Sequence, residues 1–291
     1  MNSFMEIYDV ASDEVKVFSE ASENRIKKVN EPRPGFFIAE TALVIERALD
    51  AGYEPVSFLL AKESMTKENI SIIDRCPNVP VYTASKEILN AITGYELTRG
   101  FLGCMKRKYT TSKGAPSDSL FPKTVDFIKD KRRIVLLDRV MNPTNLGAIV
   151  RSAAALSIDG IIMLKGCVDP LYRRALRVGM GNAFTVPWIC ISDRDENEDT
   201  IRVLRDNGYK LAGMALSDDS ISVSDGVLKE QDKLAIVMGS ERDGISDEVL
   251  SMCDYIVKIP MQEGVDSLNV AAASAVAFWE LSQKIKERKN D

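Results

Sequence analysis

The sequence predicts an α/β protein in two parts, and three observations carry that prediction. Short apolar runs rich in β-branched residues alternate with amphipathic segments of helical length, the rhythm of a mainly parallel sheet covered by helices. Tyr109 to Pro122 breaks that rhythm with Thr, Ser, Lys, Gly and Pro, and S-K-G-A-P-S-D-S at its centre reads as a linker. The 291 residues suffice for two domains, at roughly 100–200 residues each. The expected division is a first domain over 1–110, a linker over 111–122 and a second domain over 123–291.

In the first domain, apolar residues at Val15, Phe18 and Ile26 predict a helical lead-in within residues 1–30. Strands are expected at Gly35–Ala39, Val56–Ala61, Val79–Thr83 and Phe101–Met105. Helices are expected at Thr41–Ala51, on to about Asp74, and at Ser85–Ile92. After a short charged helix over 123–133, the second domain opens with a buried-type strand, Ile134–Asp138, and a helix, Asn145–Leu156. Further strands are predicted at Gly160–Leu164, Thr185–Ile191, Lys210–Leu216, Leu234–Met238 and Tyr255–Ile259. A last helix starts near Ser267, with Ser or Asp as its N-cap, and Val270 to Trp279 is apolar nearly all round, as a buried helix is.

Composition excludes several chemistries. The chain has no histidine, which removes Ser-His-Asp and Cys-His nucleophile systems and the usual histidine base. Its five cysteines, Cys76, Cys104, Cys167, Cys190 and Cys253, stand singly, and with no C-x-x-C pair neither a zinc nor a redox site is expected. No signal segment and no apolar run of about 18 residues is present, so a soluble, cytoplasmic protein without a membrane span is predicted. The net charge of −5 is unusual for a phosphate binder. Local clusters decide more than the total: Lys106-Arg107-Lys108, Lys131-Arg132-Arg133, and Arg173, Arg174 and Arg177 are all basic.

In a parallel sheet, ligands collect at the carboxyl ends of the strands. Three motifs lie there. N-P-T-N-L-G-A-I-V-R (Asn142 to Arg151) follows the opening strand. Asn145 and Arg151, six residues apart, are separated by about 120° around a helix and need not share a face. I-V-M-G-S-E-R-D-G-I-S (Ile236 to Ser246) is a strand that ends in Gly239, with Glu241 in the turn and Ser246 before the next helix. I-P-M-Q-E-G-V-D-S-L-N-V (Ile259 to Val270) joins a strand end, a glycine loop and a helix start. Neither a glycine-rich dinucleotide turn nor a G-x-x-x-x-G-K-[ST] loop is present, which disfavours an ordinary nucleotide-binding enzyme.

These three motifs, in this order, resemble the SpoU (TrmH) family of RNA ribose 2′-O-methyltransferases in the SPOUT superfamily. The resemblance covers 134–287, and 30–106 resembles the RNA substrate-binding domain that many members carry. It implies a SPOUT-type parallel sheet with a deep trefoil knot, S-adenosylmethionine bound within it, a homodimer through the C-terminal domain, and methyl transfer to ribosomal or transfer RNA. A catalytically silent RNA-binding adaptor is the alternative. By position, Gly239, Ile259, Met261 and Leu268 would hold the cofactor, while Asn145, Arg151, Glu241, Ser267 and Asn269 would form the catalytic set. Arg174, Arg177, Lys106, Arg107 and Lys108 would meet phosphates. Arg151 is open to two roles, clamp or base, because a guanidinium is effectively always protonated. Departures from the family pattern are Ser157 and Thr41, where glycine is common, and the segment around Gly179, where a serine is common.

Overall fold

The computed structural model describes residues 4–19, 27, 35–97, 99–108, 120–191, 195–264 and 267–282. The predicted lead-in position Ile26, the S-K-G-A-P-S-D-S stretch and the chain after 282 lie outside them. The chain divides into two compact units, Met1–Pro116 with Leu171–Phe184, and Ser117–Pro170 with Thr185–Asp291.

The first unit contains strands β1 (Phe4–Glu6), β2 (Phe36–Glu40), β3 (Pro55–Ala61), β4 (Val81–Ala84) and β5 (Phe101–Lys106). Among them lie helices α1 (Ala42–Asp50), α2 (Lys67–Asp74) and α3 (Lys86–Thr93). The sheet order is β1-β4-β3-β5-β2, parallel from β1 to β3 and antiparallel on both sides of β5. Each helix is capped at its N-terminus by a hydroxyl, Thr41, Thr66 or Ser85, which accepts an otherwise orphaned backbone N–H. The predicted helical lead-in is corrected. Phe4–Glu6 is an edge strand paired with β4, and Asp13–Phe18 is a 3-10 turn. Val15 and Phe18 are buried as their spacing required, since residues three apart eclipse in a 3-10 helix. Strand pairing across some 77 positions is invisible to local periodicity.

The segment Leu171–Phe184 belongs to this first unit, although the sequence reading placed it with the second. Its helix α6 (Arg173–Val178) packs on β2. Glu40, buried at the end of β2, accepts from Arg177 Nη1 at 2.9 Å and from Tyr95 Oη at 2.8 Å. The guanidinium of Arg173 stacks on the Tyr95 ring at 4.5 Å. Arg47 Nη1 donates to the Met180 carbonyl at 2.7 Å and to Asn182 Oδ1 at 2.9 Å, and Phe184 joins the Phe37 and Tyr53 rings. A carboxylate taken out of water requires such partners. Burial also raises the Tyr95 phenol well above its ordinary pKa, so it stays a donor.

The second unit contains seven strands, all paired in parallel, in the order β10-β12-β9-β11-β6-β7-β8. They are β6 (Arg133–Leu137), β7 (Gly160–Met163), β8 (Trp188–Cys190), β9 (Lys210–Met214), β10 (Ile221–Ser222), β11 (Leu234–Met238) and β12 (Tyr255–Lys258). Its helices are α4 (Leu120–Ile128), α5 (Pro143–Ala155), α7 (Asp195–Asp206), the single turns α8 (Gly226–Lys229) and α9 (Asp247–Leu250), and α10 (Val270–Leu281). The predicted linker therefore ends before Leu120. The two-residue β10 was not foreseen, because two residues carry no period.

Ile134, Leu136, Ile162, Leu211, Ala235 and Val237 form one sheet face with α4 and α7 residues such as Ile128, Ile201 and Leu204. The alternate positions Val135, Leu137, Ile236 and Met238 are buried too, so both faces are covered. Helices α5 and α10 pack together, with Gly147 and Ala153 buried on one and Ser274 and Ala277 on the other. Arg133 fixes the end of α10: its Nε donates to the Leu281 carbonyl at 2.9 Å, and its Nη1 and Nη2 to Asp232 and Gln231 carbonyls at 2.9 and 2.7 Å.

Two of the departures from the family pattern acquire a reason. Thr41 and Ser157 have φ of 85° and 57°, in the left-handed region where a Cβ is unfavourable and glycine is the relaxed choice.

A truncated chain beginning near Phe121 would lack the sheet against which α6 packs. Leu171, Ala175 and Leu176, all buried here, would become exposed. Limited proteolysis of such a chain is expected to cut first near Arg173–Arg177. Protection of that segment equal to the full chain's would show that α6 stands without β2.

Candidate active site

Because every pairing in the second unit is parallel, the carboxyl ends of β6, β9, β11 and β12 lie at one edge. Leu137 is level with Met238, Val237 with Gly213, and Met214 with Val257. All three motifs leave the sheet there.

The first begins at Asn142, whose side chain accepts from Thr144 N at 2.9 Å and caps α5, with Pro143 in the first helical position. The helix therefore begins earlier than predicted, and Asn145 lies within its first turn, buried. The second motif turns sharply after β11. Ser240 and Gly244 close a two-way bridge, N to O at 2.9 Å and 3.2 Å, and Gly244 has φ of 65°. A Cβ on Gly239 would fall 2.1 Å from the Gly244 carbonyl carbon, so only glycine fits. The buried Asp138, at the end of β6, holds the far side of the turn by accepting from Ser246 N at 2.7 Å. In the third motif, the cap of α10 is Asn269 rather than the predicted Ser or Asp near 267: its Oδ1 accepts from Ala271 N at 2.9 Å.

These turns bring three of the five predicted catalytic residues together. Asn145 Nδ2 donates to Glu241 Oε1 in a short contact, and Asn269 Nδ2 donates to Asn145 Oδ1 at 3.3 Å. Chemistry fixes the direction of this chain. The carboxylate oxygen accepts from the Asn145 amide nitrogen, which turns the Asn145 oxygen towards Asn269. Arg151 is exposed on α5, about 9 Å further along the helix axis than Asn145. The structure shows no contact between it and the three-residue chain. Ser267 is exposed and does not cap α10.

The four predicted cofactor positions line the same edge. Gly239 is buried under its own turn, Ile259 and Met261 are half-buried, and Leu268 is exposed. The peptide groups of Ile259–Gly264, Ser267 and Leu268 make no hydrogen bond to another described residue. Apolar side chains beside uncommitted peptide donors and acceptors fit a purine nucleoside, which needs flat apolar contact and a few placed hydrogen bonds. The loop after β9, with Leu216 exposed, ends at this edge as well and was not singled out from the sequence. Its signal was only its place after a parallel strand. Cys167 is no nucleophile: burial pushes its thiol up to about 12, and it donates to the Leu137 carbonyl at 3.3 Å. Among the described residues, no group of acidic, cysteine or histidine side chains could hold a metal, and no helix is long and apolar enough to cross a membrane.

The predicted phosphate contacts all lie in the first unit, where most have other partners. Arg107 is buried with its Nε on the Phe36 carbonyl at 2.9 Å, so it is withdrawn from the set. Arg177 is held by Glu40, Lys106 pairs with Glu54 at 2.7 Å, and Lys108 sits over Tyr53 and donates to the Ala51 carbonyl. Arg174 is exposed.

A covered parallel sheet whose polar site is built from three loops at its carboxyl edge defines an α/β enzyme fold with the site outside the strands. Residues 132–279 match the SpoU rRNA Methylase family. The chain is 31% identical over 246 residues to an uncharacterised tRNA/rRNA methyltransferase of Mycobacterium bovis, covering 84% of this chain and 79% of that one. It is 33% identical over 158 residues to a 23S rRNA (guanosine-2′-O-)-methyltransferase of Bordetella pertussis, which spans 54% of this chain and 62% of that protein. The AdoMet-bound rRNA methyltransferase from Sinorhizobium meliloti shares the fold, with a TM-score of 0.75 at 24% identity over 96% of this chain and 97% of that one. The chain belongs to the SpoU rRNA methylase family and is an RNA methyltransferase.

Gly239→Ala tests the turn directly. The clash is with backbone, so relief needs the whole Ser240–Gly244 bridge to shift, at a cost of about 3 kcal/mol. Thermal unfolding of the second unit should fall by about 10 °C. An unchanged midpoint would mean that the turn is looser than described.

Proposed function

We propose that the chain transfers a methyl group from S-adenosylmethionine to a ribose 2′-hydroxyl of ribosomal RNA. The observation that carries this is the Asn269–Asn145–Glu241 chain at the sheet edge, which unites one residue from each motif. Bound among Gly239, Ile259, Met261 and Leu268, S-adenosylmethionine supplies an activated methyl group. The protein's own task is then to position a hydroxyl and receive its proton.

Asn145 orients the ribose, its amide held on both sides so that it cannot rotate. Asn269 fixes that amide from the start of α10, and Ser267 offers a further hydroxyl beside Leu268. Glu241 keeps its second oxygen for a guanidinium or a ribose hydroxyl. Arg151 acts either as a clamp on a phosphate and the developing alkoxide or as the base. The nucleotide is taken unstacked, since single-stranded loops are where proteins read RNA bases. The first unit selects the RNA, with Arg174, Lys106 and Lys108 as exposed cations of the predicted set. The deep knot, a cytoplasmic location and a homodimer belong to the same reading. The dimer would form over α10, where Val276 and Trp279, 40% and 69% exposed, are three residues apart on one face. Phe278 and Leu281, by contrast, are buried in their own unit.

The deciding experiment supplies labelled cofactor with total RNA from a strain lacking the gene and maps the modified nucleotide. Label on a ribosomal RNA ribose is expected. Label on transfer RNA would redirect the substrate, and no transfer to any RNA would leave a silent adaptor.

Arg151→Ala should preserve cofactor affinity and lower transfer by about 10²–10³-fold. Arg151→Lys separates the two roles. A bidentate clamp is rescued little at any pH and loses RNA affinity, whereas a base regains activity as pH rises with RNA affinity kept. Full activity of Arg151→Ala would remove the residue from the mechanism.

For the dimer, light scattering at micromolar concentration should give twice the chain mass, and Trp279→Glu should give the single mass. A wild-type monomer would refute the interface.

A further inference from the structure

Arg139 follows the end of β6 and precedes the first motif. It is one of five non-glycine residues with positive φ among those described, at 55°. A long side chain gains nothing locally from that conformation, and an observed backbone outlier at a ligand edge directs attention to function. The surroundings are shaped for it: Gly166, with φ of 109°, lies so close that a Cβ there would sit 3.1 Å from the Arg139 Cγ. The guanidinium itself is under-used. Its Nε is buried without a hydrogen-bond partner, and its nearest partner among the described residues is Asp138 Oδ1, at 3.6 Å. Asp138 spends its other oxygen on Ser246 N. The Arg139 side chain is 38% exposed.

Position completes the case. Asp138 N donates to the Met238 carbonyl at 2.9 Å, immediately before Gly239 and the Glu241 turn. Arg139 therefore stands at the edge where Asn145, Glu241 and Asn269 meet, with its partly exposed side chain beside a buried aspartate. A strained, under-bonded guanidinium at such a place matches an anionic oxygen that arrives with the ligand.

We propose that Arg139 is an RNA-binding residue that contacts a backbone phosphate next to the nucleotide being methylated. This rests on the methyltransferase reading above. The other anion that could meet it is the carboxylate of S-adenosylmethionine, and the two sources are separable by experiment.

Arg139→Gly is the informative variant, because glycine relaxes at this φ. It also removes the charge facing the buried Asp138, so thermal unfolding is measured beside RNA affinity, and only a variant that is still folded at the assay temperature is scored. Arg139→Asn, which also tolerates the left-handed region, guards against an effect peculiar to glycine. The probe is 23S and 16S ribosomal RNA transcribed in vitro, hence unmethylated, with affinity measured across a salt series. Loss of one phosphate contact should weaken binding about five- to tenfold near 0.1 M salt and make the slope of log K against log salt shallower by about 0.7–0.9. Both variants should show this, Arg139→Lys should retain most of the slope, and calorimetric affinity for S-adenosylmethionine should stay at the wild-type value. Unchanged RNA affinity and slope would overturn the proposal. So would a loss of cofactor affinity, which would assign Arg139 to the carboxylate. Failure of the wild-type protein to bind the cofactor or methylate any RNA would instead defeat the underlying reading.

Discussion

The hydrogen-bonded chain from Asn269 through Asn145 to Glu241 is the interaction on which the catalytic unit depends. Each member comes from a different strand-end loop, and each is held by its own backbone device. Asn269 is locked by capping α10, Asn145 by the first turn of α5, and Glu241 by the Ser240–Gly244 bridge. Asp138 adds a fourth tie by accepting from Ser246. Of the three only Asn145 is buried, and its amide therefore needs the two partners that the neighbouring loops supply. This explains why glycine at 239 is a steric necessity: any side chain there would open the turn that presents Glu241.

A second buried carboxylate organises the other unit. Glu40 gathers Arg177 and the Tyr95 hydroxyl, and with them α6, onto the end of β2. The consequence is an unexpected chain path, in which residues 171–184 leave the catalytic sequence and return to it. Family membership follows the sequence continuously through 132–279, whereas compactness does not. Of the basic residues counted as RNA contacts, Arg177 and Arg107 serve this architecture instead, held by Glu40 and the Phe36 carbonyl.

The sequence by itself determined the α/β class, nearly every strand, and the three motifs at strand ends, because those signals are local. Period-two and period-3.6 patterns, hydroxyl caps and turn glycines act within a few residues. It also marked Thr41 and Ser157 as anomalies, and their positive φ supplies the cause. The tertiary structure alone decided which motif residues meet. Asn145 and Arg151 share a motif, yet one is buried in the amide chain and the other faces solvent, since helical rotation separates them. It alone paired Phe4–Glu6 with β4, spent Arg107 and Arg177 on Phe36 and Glu40, and left Arg139 strained beside Asp138. The first two of those outcomes depend on partners tens of residues away, and burial, not local pattern, determines what a charge must find there.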